Sequence, residues 1–521
     1  MLKYATFIRR VSLLFLISDK HYKTYKTCCA RQSSKSPETP HSGFLNPVLI
    51  SHHRQLLKKT CRHNGCVLAS YLSLLLKFAV KCYHEHLKKN RGKTMRALLI
   101  SANTEQLQMP VLPMGLACVA ATAEHAGHEV RFLNLMTKDG FQELKLENAV
   151  SGFNPELIGV SVRNIDDQCM KSPRFLLDAV KNVVTSCRRL TPVPIVLGGA
   201  GYSIYPRSAL AYLGADMGIK GEGEAAFVKL LDALSRKEGL AGVPNLVLAE
   251  SLRENKTEVL TRLDDSVLPD PNGQFSFPTE FKNQKIWLPF QTRRGCPMEC
   301  SFCSTATIEG RILRKRSPEI VADSISRFVE AGFKNFFFVD NTFNFPPSYA
   351  RELCGALSGR NLDIQWRSIL YPWKVEEDLI ERMARAGCVE VAFGFESGSK
   401  KILRSLNKRF QPEEVRRISE MLDGYGIGRM GFLLLGGPGE TRETVEESLE
   451  FADSLELEAM KITTGIRIYP YTALAATAVA EGVVSPLDDL LRPAFYLAGG
   501  LEGWIEETVS DWLIRRPNWH S

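Results

Sequence analysis

Cys296, Cys300 and Cys303 lie in the run R-R-G-C-P-M-E-C-S-F-C that begins at Arg293, a C-x3-C-x2-C spacing that gathers three soft sulfur ligands on one short loop. Three thiolates fit three irons of a [4Fe–4S] cluster, whose usual complement is four cysteines. The fourth iron then lacks a protein ligand and is open to a small molecule, as a catalytic metal keeps one open position. Arg293 and Arg294 are placed to offset the negative charge of the thiolates. A structural zinc site and buried free cysteines are the competing assignments. Zinc wants a fourth ligand nearby, and the residues that follow supply none.

Other polar groups fall at strand ends. In 389–397 (V-E-V-A-F-G-F-E-S) the two-residue period of a strand sets Val391, Phe393 and Phe395 on one face and Ala392, Gly394 and Glu396 on the other. Small side chains with a terminal carboxylate suit a roomy interior and an acceptor for ribose hydroxyls; a salt-bridged surface glutamate is the alternative. The same alternation aligns Lys461, Thr463, Gly465, Arg467 and Tyr469. Arg467, at that strand's end, could meet a carboxylate or form a structural ion pair. Asp340 and Asn341 end a further strand.

These groups must be positioned by an α/β chain. Strands are expected at 96–101, 129–135, 157–163, 194–200 and 216–220, with helical periods at 114–126, 173–190 and 225–236. Five strands with intervening helices mean a doubly wound, Rossmann-like parallel sheet, which binds ligands at the carboxyl ends of its strands. The loops there are 102–115, 164–169, the segment with Gly198, Gly199, Gly201 and Ser203, and the segment with Gly221 and Glu222. Glycine lets a backbone approach a bulky ligand closely, and equally serves tight turns and helix caps. Residues 237–285, with Pro244, Pro269, Pro271 and Pro278, read as a connector. Strands at 287–292, 335–339, 364–369, 390–395, 428–435 and 461–468 then alternate with helices at 318–331, 348–357, 376–386, 413–425 and 443–455. Six such units make a partial (β/α)6 TIM-like barrel, too few for eight strands, with the cysteines at its catalytic face. Residues 490–521 read as one or two terminal helices.

C-x3-C-x2-C with an aromatic residue, Phe302, before the last cysteine resembles the radical S-adenosylmethionine (radical SAM) enzymes. The six βα units agree with their partial barrel, and a doubly wound domain in front resembles the cobalamin-binding subfamily. The resemblance spans roughly 96–521. It implies that S-adenosylmethionine chelates the open iron and is cleaved to methionine and a 5′-deoxyadenosyl radical, with cobalamin held by the front domain. It further implies Glu396 and Ser397 near S-adenosylmethionine, Gly436 and Gly437 (of G-F-L-L-L-G-G-P-G-E) against its adenine, and Arg467 at a carboxylate. Asp340 and Asn341 would supply a polar contact, although this chain has V-D-N-T-F where the family usually has Gly-Gly-Glu. Gly198, Gly199, Gly201, Ser203, Gly221 and Glu222 would hold cobalamin. The D-x-H-x-x-G motif of methionine synthase-like domains does not occur. His125 and His128 read as packing or cap residues, which leaves the lower face of cobalt empty or to water or another side chain. Cys354 and Cys388 read as core residues.

The domains expected are a basic leader (1–94), a cobalamin-binding Rossmann-like domain (95–240), the connector (241–285), the radical SAM core (286–480) and a C-terminal helical segment (481–521). The activity expected is methylation of an unactivated carbon. Radical cyclisation or rearrangement, as among relatives of the anaerobic protoporphyrin ester cyclase, is one alternative. A non-catalytic cobalamin-sensing or electron-transfer module is another, which a complete SAM-like barrel site argues against. RNA methylthiotransferases fit less well, because Cys118, Cys169 and Cys187 lack a compact spacing for a second cluster. The partners expected are a small-molecule or lipid substrate and an electron donor such as flavodoxin or ferredoxin.

The net charge of +8 is no sign of nucleic-acid binding. Residues 1–94 hold 18 Lys and Arg against 3 Asp and Glu, while the remaining chain is acidic on balance. No nucleic-acid partner is expected. Met95 opens a clean strand, so translation from Met95 with an over-extended frame upstream is the expectation; a targeting or regulatory extension is the alternative. Cys28, Cys29, Cys61, Cys66 and Cys82 beside His63, His84 and His86 match no compact zinc pattern. A hydrophobic fraction of 44% excludes a wholly disordered chain. No apolar run reaches the roughly 18 residues of a membrane span. A reduced cytoplasm suits the thiol usage.

Overall fold

The computed structural model describes residues 93–103, 112–136, 142–272 and 286–521. Almost all of the basic leader with its cysteines and histidines, most of the 102–115 loop and the end of the connector lie outside the described residues.

The front sheet consists of β1 (Arg96–Ser101), β2 (Glu129–Asn134), β3 (Leu157–Ser161), β4 (Ile195–Gly198), β5 (Met217–Ile219) and β6 (Leu246–Leu248), in the order β2-β1-β3-β4-β5-β6. The first five are parallel, and β6 runs antiparallel to β5. Helices Met114–His125 and Glu224–Arg236 pack together on one side; Gln142–Phe153, Leu177–Leu190 and Pro206–Leu213 form a second group. Cover on both faces is why β1 reads as an unbroken apolar run, buried from Ala97 to Ser101. The doubly wound sheet is present, and its order reverses between β1 and β3, the place where such sheets bind ligands. β6 comes from the stretch read as a connector. At three residues it is too short to show a period.

The second half adds β7 (Leu288–Phe290), a small ladder of β8 (Arg293–Arg294) with β9 (Arg314–Lys315), then β10 (Asn335–Phe338), β11 (Gln365–Leu370), β12 (Cys388–Glu396), β13 (Gly428–Leu435) and β14 (Ala459–Thr464). β15 (Ile466–Arg467) pairs with β16 (Phe495–Tyr496), and β17 (Trp519–His520) ends the order β17-β14-β13-β12-β11-β10-β7. Every pairing in that sheet is parallel, as a barrel of βα units requires. The C-terminal stretch differs from a purely helical reading: one helix, Trp504–Ile514, is followed by β17, anchored where Trp519 stacks on Trp512 at 5.8 Å.

Burial along β13 alternates. Arg429, Gly431, Leu433 and Leu435 are buried, while Met430, Phe432 and Leu434 are half-buried. β10 and β11 repeat the pattern. One set of side chains is sealed, and the other is partly exposed.

Candidate functional site

The chain leaves β7 and passes through β8 into the cysteine loop. Gly295 makes the turn at φ +88°, where a Cβ would overlap the Ile312 carbonyl oxygen, so glycine is required. Its N–H donates to the Glu309 carboxylate (3.0 Å), and the Cys296 N–H donates to the Gly310 carbonyl (3.1 Å). On the far side, the residues after the helix Lys400–Ser405 clasp the loop. The Ser301 N–H donates to the Leu406 carbonyl (3.1 Å), Asn407 to the Glu299 carbonyl (2.7 Å) and Arg409 to the Pro297 carbonyl (3.3 Å).

Within this clasp Cys296 is buried, Cys300 half-buried and Cys303 exposed; all three are free. Burial pushes the Cys296 thiol up to about 11, and the charges of Cys303 and Cys300 push it the same way. Burial also raises Cys300, with Lys408 opposing. Thiols gathered on one loop are a set that a metal cation would engage as thiolates. Among the described residues no three His, Cys, Asp or Glu side chains converge as a single ion requires. A cluster spreads three ligands over three irons, so this donor set fits a cluster better than a mononuclear zinc.

Glu396 ends β12 at φ +66°, an uncommon conformation outside glycine. Its carboxylate accepts a hydrogen bond from Lys408 Nζ (3.0 Å), and the Lys408 ammonium lies over the half-buried Phe302 ring at 5.2 Å. Val391, Phe393 and Phe395 are buried, while Gly394 and Glu396 are only partly so. Asn341 donates to Glu309 (2.8 Å) and accepts from the Thr305 hydroxyl (3.5 Å), two residues past Cys303. Lys408 and Glu309 were not apparent from the sequence, since a lone charged residue in a polar turn or short helix carries no sign of burial.

Several residues assigned to S-adenosylmethionine make hydrogen bonds within the chain. Asp340 is wholly buried and accepts from the N–H groups of Thr292 (2.8 Å) and Arg293 (3.0 Å) and from the Thr292 hydroxyl (2.6 Å), bracing the entry to the cysteine loop. The Ser397 hydroxyl is bonded to Ser448 (2.7 Å) and accepts from the Ser399 N–H (3.0 Å), which shapes the turn after β12. Gly436, at φ +95°, and Gly437 donate their N–H groups to Glu440 (2.5 and 2.8 Å), so this glycine pair wraps a carboxylate of its own chain. Burial raises Glu440 to about 7 against those two bonds, and its second oxygen is buried without a partner.

In the front sheet, Gly199 turns at φ +101°, where a Cβ would overlap the Val162 carbonyl oxygen, and a Cβ at Gly201 would press on the Arg163 carbonyl oxygen. Gly198 ends β4, and Gly221 (φ +74°) follows β5. Ser203 is fully buried; its hydroxyl donates to the Gly199 carbonyl (2.8 Å) and accepts from the Gly221 N–H (2.8 Å). It ties the two glycine loops together. His128 accepts from the Met95 N–H (3.4 Å) at the start of β1, the opposite edge from those loops. It is a packing residue.

The B12 binding domain family matches residues 100–231, and the Radical SAM superfamily matches residues 291–452. The chain is a radical SAM protein with a B12-binding domain. It is similar to an uncharacterized methyltransferase of Pyrococcus horikoshii, 27% identical over 405 residues, 75% of this chain and 85% of the relative. The tryptophan 2-C-methyltransferase of Streptomyces laurentii is 23% identical over 436 residues, 72% of this chain and 73% of that one. Among solved structures, the radical S-adenosylmethionine methyltransferase TsrM of Kitasatospora setae, with tryptophan and a SAM analogue bound, superposes with a TM-score of 0.72 at 22% identity. That match covers 81% of this chain and 89% of TsrM, and it is a likeness of fold.

The B12-binding domain and the radical SAM core meet along a seam of buried charges. Glu222 accepts from Arg314 (2.5 Å) and the Leu260 N–H (2.6 Å) and pairs with Arg294 (3.3 Å); Arg294 also bonds Glu224 (2.5 Å). Both carboxylate oxygens of Glu222, a residue assigned to cobalamin, are engaged at this seam. Arg467 likewise pairs with Asp166 of the B12-binding domain and donates to the carbonyls of Ile468 (2.6 Å) and Leu490 (2.9 Å). Of its two readings, the structural ion pair is the one formed.

Proposed function

We propose that this radical SAM enzyme transfers the methyl group of S-adenosylmethionine, by way of cobalamin, to a carbon of a small-molecule or lipid substrate. One observation carries the reading. The short helix Thr305–Glu309, two residues beyond Cys303, packs on Ala200–Ile204, which starts directly after Gly199. The cysteine loop and the glycine loop are thus neighbours, which supports one cavity between the two cofactor sites. The methyltransferase names of relatives that share more than two thirds of the chain support methyl transfer.

When bound, the cluster supplies an electron for cleaving S-adenosylmethionine, and cobalamin carries the methyl group. The chain's own part is to hold and to orient. Cys296, Cys300 and Cys303 would hold the cluster through three of its irons. Glu396, fixed by Lys408, offers carboxylate oxygens to ribose hydroxyls, and Asn341 offers a polar contact beside Cys303. Gly198, Gly199, Gly201 and Gly221 let the backbone approach the broad cobalamin ring. An electron donor such as flavodoxin or ferredoxin, in a reduced cytoplasm, completes the reading.

The test incubates the anaerobically reconstituted protein, with cobalamin, a reductant and methyl-deuterated S-adenosylmethionine, with small-molecule and lipid extracts. A deuterated product together with S-adenosylhomocysteine is expected. Near-equal 5′-deoxyadenosine identifies hydrogen abstraction at an unactivated carbon. 5′-Deoxyadenosine without labelled product would instead favour cyclisation or rearrangement, and neither nucleoside would favour a sensing or electron-transfer module.

A further inference from the structure

A lysine ammonium taken out of water needs partners, because an unpaired buried charge is costly. The Lys408 side chain is only 4% exposed, and the surroundings that compensate it are specific. Its Nζ donates to Glu396 (3.0 Å), and the same ammonium lies over the ring of Phe302, the residue before Cys303. The rings of Phe302, Tyr371 and Phe410 stand 5.2, 5.6 and 5.9 Å away, at cation–π range.

The backbone gives this lysine little freedom to swing out. Its N–H donates to the Leu403 carbonyl (2.8 Å), and the next N–H, of Arg409, donates to the Tyr371 hydroxyl (3.0 Å). Leu406, Asn407 and Arg409 are the residues that clasp the cysteine loop. Lys408 is the member of that segment that turns inward.

We propose that Lys408 is a positioning residue for the cluster: its ammonium, fixed between Glu396 and the Phe302 ring, sets a permanent positive charge beside the cysteine loop and raises the cluster's reduction potential. Net charge and hydrogen bonds to the sulfurs set such potentials, and groups behind the first ligands tune the metal. The positive end of the Lys408–Glu396 pair lies over Phe302, next to Cys303, so an electron added to the cluster is stabilised. The inference rests on the assignment of Cys296, Cys300 and Cys303 as cluster ligands.

The test is an EPR-monitored redox titration, without S-adenosylmethionine, of the reconstituted wild type, Lys408→Gln, Lys408→Arg and Glu396→Gln, with iron counted in each. Lys408→Gln should keep its iron at a potential more negative by at least tenfold in the one-electron equilibrium, about 59 mV. Lys408→Arg should restore most of the wild-type value. Glu396→Gln should shift the potential the other way, because the carboxylate no longer offsets the ammonium. Wild-type iron at an unchanged potential in Lys408→Gln overturns the inference. Should that variant fail to fold or to hold iron, Glu396→Gln decides: a more positive potential supports the inference, and an unmoved or more negative one overturns it. A wild type that binds no iron is a separate failure, that of the cysteine assignment.

Discussion

Arg467 Nε lies 2.8 Å from the Asp166 carboxylate, and each side chain is only 2% exposed, so the radical SAM core and the B12-binding domain share one buried ion pair. Removing one partner of such a pair leaves an uncompensated charge, at a cost of about 3–5 kcal/mol. Asp166→Asn is expected to lower stability by that order in urea unfolding. Asp166→Leu combined with Arg467→Met should cost less than the two single changes summed, and additive losses would show that the pair is not coupled.

The cysteines assigned to the cluster are expected to behave differently from the other thiols. Cys296→Ala, Cys300→Ala and Cys303→Ala should each abolish S-adenosylmethionine cleavage. Cys354→Ala and Cys388→Ala, which alter buried core residues, should keep both the iron and most of the cleavage. Iron and sulfide content with 5′-deoxyadenosine release measures both. A 354 variant without iron beside a 296 variant that keeps it would reverse the assignment.

Glu440 titrates at about 7 in the folded chain against an ordinary value of 4.5. Because its folded value is raised, the folded chain holds this proton more tightly than the unfolded chain does. The stabilisation is complete below pH 4.5 and is lost as pH rises through 7. At about 1.4 kcal/mol per pH unit, the loss is about 3 kcal/mol. Glu440→Gln should flatten this slope in unfolding measured from pH 5 to pH 9; an equal slope in the variant would assign the dependence elsewhere.

A chain that begins at Met95 should match the full chain in melting temperature and iron content. Met95 is already buried, and its carbonyl accepts from the Glu129 N–H (2.9 Å). Among the described residues before it, Lys93 adds an exposed pair with Glu156, a kind of contact contributing about 0–1 kcal/mol. A fall in either measurement on deletion of 1–94 would count against an over-extended frame.

Features that are local in sequence were legible. The C-x3-C-x2-C spacing, the apolar run of β1 and the alternation of β12 each lie within a dozen residues, and both sheets follow from such patterns. Partners far apart were not. Arg467 was placed at its strand end, but Asp166 lies 301 residues away, and no period links them. Ser203 and Glu222 sit in glycine-rich loops that look open to a ligand until Gly221 and Arg314 are seen to engage them. β6 and β17 escaped because two or three residues cannot display a repeat.

The seam has a consequence for how these two domains are inherited. Glu222, Glu224 and Asp166 all lie in the B12-binding domain, and Arg294, Arg314 and Arg467 all lie in the radical SAM core. A chimera that grafts a foreign front domain onto this core would leave three arginines facing whatever groups the newcomer brings. The halves are a matched set, and recombination between distant relatives must carry six side chains across together.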